Sequence, residues 1–298
     1  MSTPYTPAID LGAITALDFH THVHASVSAP GDEGGAQLAA MKKYFKSEDK
    51  PGATLPDLAA YYRQRSIAAV TFTVDKGPSA PDPVLTNDEI LNLAKEHSDI
   101  VLPFASIHPD RGEAGAREAE RLIAGGVRGF KFHPNAQAFF PDDRKCYPLY
   151  EVLNAHQMPA LFHTGQSGAG ANTRGGSGIL LKYSNPLHLD EVAADFPDMP
   201  VVLAHPSFPW QEEALAIAVH KPSVWIEMSG WSPKYFPPVL VQYANTMLKD
   251  RILFGSDFPL ITPDRWLSDL EKTEIRDSVK PGLLKDNAVR LLGLAKES

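Results

Sequence analysis

Two histidines two residues apart, His20 and His22, stand in the run Leu17-Asp18-Phe19-His20-Thr21-His22-Val23-His24. If this run is a β-strand, residues i and i+2 project from the same face, so both imidazoles are able to grip one ion. Alone the pair carries little, since soluble proteins hold many histidines that are merely satisfied polar residues. Its weight depends on what the rest of the chain brings to it. His163 ends the apolar run Pro159-Ala160-Leu161-Phe162, and Asp257 ends another in Phe254-Gly255-Ser256-Asp257-Phe258-Pro259. Imidazole and carboxylate ligands suit zinc and similar divalent metals, and a catalytic site needs a few of them plus a position open to water. His20, His22, His163 and Asp257 supply such a set. Lys131 and His133 end a further run, and His205 ends one more, before Pro206.

These residues are more than two hundred positions apart, so a fold must bring them together. After a short arm over residues 1–16, the chain alternates brief apolar runs with helix-like segments. The strands expected are Leu17-His24, Ile67-Val74, Ile100-Ile107, Val127-Phe132, Pro159-His163, Val201-His205, Val224-Ser229 and Arg251-Gly255. The β-branched second run, with little alternation, reads as buried on both faces. Helices are expected at Leu58-Arg65, Asn87-His97, Gly115-Ala124, Tyr147-His156, Leu187-Phe196, Val239-Leu248 and Leu283-Leu292. Eight such units indicate a parallel (β/α)8 TIM barrel, whose chemistry sits at the C-terminal ends of its strands. An open doubly wound sheet is the alternative, but no Gly-rich phosphate turn follows the first strand. The 298 residues fit a single barrel domain with a lid-like insertion at about 25–58, including a short helix near Gln37-Phe45.

Composition narrows the partners. A formal charge of -8, with no cluster of Lys and Arg, argues against a nucleic-acid or anionic-membrane surface. No stretch approaches the roughly 20 apolar residues that span a bilayer. Cys146 is the sole cysteine, which excludes an intrachain disulfide framework, and the first residues do not read as a signal peptide. A cytoplasmic protein acting on a small molecule is expected. The loop Gly165–Gly178 offers backbone amides and Arg174 to an anion. Trp231, Lys234 and Tyr235 after the seventh strand, with Trp210 after the sixth, make an aromatic wall suited to a planar acid derivative.

The motifs His20-Thr21-His22, Phe162-His163-Thr164-Gly165, Leu203-Ala204-His205-Pro206 and Gly255-Ser256-Asp257-Phe258-Pro259 resemble the amidohydrolase superfamily. The resemblance is to its branch related to aminocarboxymuconate semialdehyde decarboxylase and dicarboxylate lactonases. It implies one metal, Zn2+ by expectation, on His20, His22, His163 and Asp257. It also implies that His205 is a second-metal ligand or a proton-handling group facing substrate. A strand-four lysine, here Lys131, is carboxylated in binuclear members and would serve a second metal together with His205. Relatives are commonly dimers, so a homodimer is expected. The loop Asn172-Thr173-Arg174-Gly175-Gly176 and the segment Trp231–Phe236 are similar to those of 4-hydroxyphenyl-β-ketoacyl-CoA hydrolases, which implies a CoA thioester substrate and retro-Claisen C–C cleavage.

From the residues, Asp257 is the expected acceptor of a proton from metal-activated water, and His205 the group that steadies a carbonyl oxygen or passes a proton on. Hydrolysis of a carbonyl is the first reading, and metal-dependent, non-oxidative decarboxylation of an aromatic or muconate-type acid the alternative. An Asp or Glu orienting a ligand imidazole is expected; Glu227, on the seventh strand, is a candidate, but the sequence alone does not assign it.

Overall fold

The computed structural model describes residues 3–29, 35–44, 54–80, 83 and 85–295. Eight parallel strands form the centre: β1 (Ala16–His22), β2 (Ile67–Phe72), β3 (Val101–Pro103), β4 (Phe130–Phe132), β5 (Ala160–His163), β6 (Val201–Ala204), β7 (Val224–Glu227) and β8 (Ile252–Leu253). Their ladders run β1-β2-β3 and β4-β5-β6-β7-β8. Two seams join these sheets. Ala105 donates to the Gly129 carbonyl at 3.0 Å and Lys131 to that of Ala105 at 2.7 Å. Phe19 donates to Phe254, and His22 to Phe258, both at 2.8 Å. The result is the closed (β/α)8 barrel expected, with β2 buried along its whole length.

The strands read as nearly continuous apolar runs because both their faces are covered, one by the barrel interior and one by the outer helices. Leu17, Val70, Leu102, Phe130, Leu161, Val202 and Leu253 are all fully buried. Phe132 and Phe162 stack across neighbouring strands with centroids 4.7 Å apart, and Tyr150 of the helix Tyr147–Ala155 meets them edge-on at 5.8 and 5.9 Å.

The helix expected at Leu58-Arg65 begins earlier and spans Leu55–Arg63. Thr54 caps it through the Asp57 amide, the Asp57 carboxylate returns to the Thr54 amide, and Pro56 lies in the first turn. Within the insertion, a helix spans Gly35–Tyr44, close to the segment expected. Residues 30–34 and 45–53 of that insertion lie outside the described residues. Two helices not foreseen, Gln211–His220 and Pro263–Leu270, complete the outer layer. The latter buries Trp266, whose Nε1 donates to the Met228 carbonyl at 3.2 Å and whose ring lies 4.6 Å from Phe254. Among the described residues, no helix is long and apolar enough to cross a membrane.

Candidate active site

The register of β1 against β2 shifts between Asp18 and Thr21, so three steps of β1 face two of β2. A bulge of this kind re-aims side chains at a barrel rim. Asp18 holds it: its fully buried carboxylate accepts the His20 amide at 3.1 Å, the Ser256 amide at 2.9 Å and the Tyr62 hydroxyl at 2.7 Å. Burial pushes this carboxyl up to about 6, against those hydrogen bonds.

Beyond the bulge, His20 and His22 converge as their spacing predicts, with Nε2 atoms 3.2 Å apart. Asp257 Oδ1 lies 3.5 Å from His20 Nε2 and 3.2 Å from His22 Nε2. Asp257 adopts a left-handed backbone, φ 69°, as does His205 at φ 73°. Non-glycine residues held there cost about 1–3 kcal/mol each and cluster at functional sites.

On the far side of His20, its Nδ1 lies 2.7 Å from Glu227 Oε2, so the structure assigns the orienting carboxylate to Glu227, which the sequence left open. Glu227 is fully buried, and Gly255 makes the room: a Cβ there would stand 2.0 Å from Glu227 Oε1. Burial pushes the Glu227 carboxyl well above its ordinary range, while Ser229 and the Lys131 charge draw it back.

His163 and His205 form a second pair. His205 Nε2 is 2.9 Å from His163 Nδ1, and the two rings meet nearly edge-on at 4.6 Å. The structure does not place His163 within the close group of His20, His22 and Asp257, nor in a second group made of His20, His205 and Glu227. It adjoins them through His205, whose ring centroid is 5.0 Å from that of His20. His163 Nε2 is buried without a hydrogen-bond partner among the described residues. His133 stacks on His163 at 4.1 Å, and His24 on His22 at 5.5 Å.

Lys131 is fully buried, with Nζ 3.5 Å from His20 Nε2 and 5.1 Å above the Phe72 ring. Burial draws its ammonium down to about 8, against the pull of Glu227 and Asp257. Burial also draws His205 down to about 4 and holds His20 and His163 well below the usual imidazole range, so all three are neutral near pH 7. Asp257 goes the other way. Burial opposes its ionisation, but His22, His205 and Lys131 together hold its carboxyl below the ordinary value.

The expected substrate contacts lie on loops outside this buried centre. Arg174 and Lys234 are exposed, and Lys234 Nζ sits 4.9 Å over the exposed Tyr235 ring. Trp231 is half-buried, 5.8 Å from Phe208, and Trp210 is half-buried at the start of the helix Gln211–His220.

The facing Nε2 atoms of His20 and His22 and the Asp257 carboxylate oxygen converge on one point. A cation between them satisfies all three, so the donor set suits a divalent metal.

A family model described as amidohydrolase matches residues 17–294, which takes in every strand but the first residue of β1. The chain belongs to the amidohydrolase family. It is an enzyme of that superfamily, whose members are metal-dependent hydrolases and decarboxylases.

Solved barrels agree in fold. A TIM-barrel protein from Bordetella bronchiseptica is 22% identical with a TM-score of 0.73, over 93% of this chain and 98% of that one. The 5-carboxyvanillate decarboxylase from Novosphingobium aromaticivorans, complexed with manganese and 4-hydroxy-3-methoxy-5-nitrobenzoic acid, is 13% identical with a TM-score of 0.67, over 98% and 99%. A probable 2-pyrone-4,6-dicarboxylic acid hydrolase from Acinetobacter baumannii, with citric acid bound, is 16% identical with a TM-score of 0.61, over 94% and 100%. Among curated sequences, protein fluG of Emericella nidulans is 27% identical over 130 residues, which is 41% of this chain and 13% of that protein.

Two contributors gave no signal in the sequence. Asp18 lay inside a run read for its histidines. Ser229 is an ordinary serine at a strand end, although its hydroxyl lies 3.0 Å from the Nδ1 atoms of both His20 and His205.

Proposed function

We propose that this amidohydrolase is a metal-dependent enzyme acting on a small, aromatic-derived acid or acyl thioester. The observation that carries the reading is the meeting of His20 Nε2, His22 Nε2 and Asp257 Oδ1 within 3.5 Å, with His20 braced from behind by Glu227. These three residues, with His163 from β5, would hold one divalent cation, Zn2+ or Mn2+. Bound there, the metal supplies a Lewis acid and an acidified water.

The chain's own groups handle protons. Asp257, held ionised, accepts one from attacking water in hydrolysis. His205, neutral at pH 7 with Nε2 toward His163, takes up a proton and returns it to the leaving group. In decarboxylation one of the same two groups first takes up a proton from water and then delivers it to the carbon that loses CO2. The manganese and nitrobenzoate of the 5-carboxyvanillate decarboxylase support that second reading, as the pyrone hydrolase supports the first. Arg174 and Lys234 are assigned to the substrate's anionic group, and Trp210, Trp231 and Tyr235 to its ring or thioester arm, which would include a CoA thioester cleaved by the retro-Claisen route. A homodimer is the proposed assembly.

A paired assay tests the proposal. Protein loaded with Mn2+ or Zn2+ is given hydroxylated benzoates with CO2 measured, and lactones and β-keto thioesters with acid release measured. Turnover of one class, lost in Asp257→Asn and on chelation, supports the reading and identifies the reaction. Turnover undiminished by chelation refutes it.

A further inference from the structure

One residue touches both histidine pairs. The Ser229 amide donates to Glu227 Oε1 at 2.6 Å and its hydroxyl to Glu227 Oε2 at 2.8 Å. The Ser229 carbonyl lies 3.1 Å from His205 Nδ1, and the hydroxyl oxygen lies 3.0 Å from His205 Nδ1 and 3.0 Å from His20 Nδ1. Every polar atom of this fully buried residue therefore faces either Glu227 or an imidazole.

The proton positions follow from what each group is able to do. A carbonyl oxygen only accepts, so the His205 nitrogen facing it carries hydrogen. The serine hydroxyl has a single hydrogen, and it is directed to Glu227. Its lone pairs then face both Nδ1 atoms: His205 Nδ1–H has only the Ser229 hydroxyl and carbonyl oxygens before it, whereas the nearest acceptor for His20 Nδ1–H is Glu227 Oε2 at 2.7 Å, the carboxylate that Ser229 itself holds. In each ring the opposite nitrogen, Nε2, is left with a free lone pair. His20 Nε2 faces His22 and Asp257, and His205 Nε2 faces His163. Gly230 permits the approach: a Cβ there would come within 2.6 Å of His205 Nδ1.

We infer that Ser229 is a positioning residue that locks His205 in the Nδ1–H tautomer directly and His20 through the Glu227 carboxylate it holds, so that both turn an Nε2 lone pair into the active site. One serine on β7's extension thereby sets a strand-one and a strand-six imidazole together, and Glu227 is held to His20 by the same residue. The part of this inference that concerns affinity rests on the metal reading above; the tautomer part stands without it.

The test uses the full chain with 15N-labelled histidine, free of metal, and reads the imidazole nitrogen shifts of His20 and His205, assigned by His20→Gln and His205→Gln. In the wild type both residues show a protonated Nδ1 and an unprotonated Nε2. In Ser229→Ala at least one of them shows mixed tautomers, and Mn2+ or Zn2+ binds about 10- to 100-fold more weakly, the range typical of losing a partner behind a ligand. Ser229→Thr, which keeps the hydroxyl, restores both. An Nε2–H tautomer at either residue in the wild type overturns the inference, whether or not the alanine variant folds. So do wild-type shifts in Ser229→Ala. If the wild type binds no metal, the functional reading fails, while the nitrogen shifts still decide the role of Ser229.

Discussion

Asp257 sits where two demands oppose each other: its backbone is held at φ 69°, and its buried carboxylate stays ionised beside two imidazoles. Asparagine keeps the shape and tolerates that backbone, so Asp257→Asn separates charge from fold. Its metal affinity is expected to fall by more than about 100-fold, beyond the range typical of outer partners, while metal-free stability changes by less than about 1 kcal/mol. Isothermal titration with Mn2+, beside urea unfolding of both metal-free proteins, checks this. At this scale His20, His22 and Asp257 were legible in the sequence because period two and strand-end position are local facts. Ser229 and Asp18 were not, because their partners arrive from strands up to 238 residues away and neither residue type announces such a role.

The elements that carry the site depend on close approaches and on the loops that tie strand ends together. Gly255→Ala drives a methyl group against Glu227 Oε1, inside a centre with no slack. A loss of about 3 kcal/mol, near the top of the usual cost of overpacking, is expected in denaturant unfolding. The loop after β2 offers a test by pH. Asp75 accepts two hydrogen bonds from Arg111, at 2.6 and 2.9 Å, and the amides of His108 and Gly77 at 2.8 and 3.0 Å. Burial raises its carboxyl, but Arg111 and the amides prevail and hold it below the ordinary value. A carboxyl depressed in the folded state stabilises above its unfolded pKa, about 4, and loses that contribution as pH falls through the folded value. Asp75→Asn should therefore cost on the order of 1 kcal/mol at pH 7, discounted for the part-exposed Arg111, with the gap closing below about pH 4. A gap that does not narrow as the pH falls below about 4 would contradict it.

The strands are legible as apolar runs, but several extend less far at their C-terminal ends than those runs suggest. His24, Val74 and Ile107 lie beyond the ends of β1, β2 and β3, and apolar character does not distinguish the two. The helix Pro263–Leu270 was missed because only Trp266, Leu267 and Leu270 show its period, although Thr262 and Pro263 mark its start.

The whole molecule adds what no single run contains. The seams β1 to β8 and β3 to β4 are what bring residues 20 and 257 into contact, and closure is legible only from the count of eight alternating units. If the barrel mouth holds a metal that the unfolded chain does not, excess metal raises stability by mass action, about 2.7 kcal/mol at one hundred times the dissociation constant. A melting temperature raised by several degrees with Mn2+ or Zn2+, and lowered again by chelator, is expected. The measurement closest to the central claim is metal content per chain on protein purified without added metal, repeated for His22→Ala, His163→Ala and Lys131→Ala. Wild type and Lys131→Ala are expected to hold close to one divalent ion per chain, and His22→Ala and His163→Ala little. Wild-type protein that holds no metal even after reconstitution, or an ion retained in full by His22→Ala, would contradict that claim.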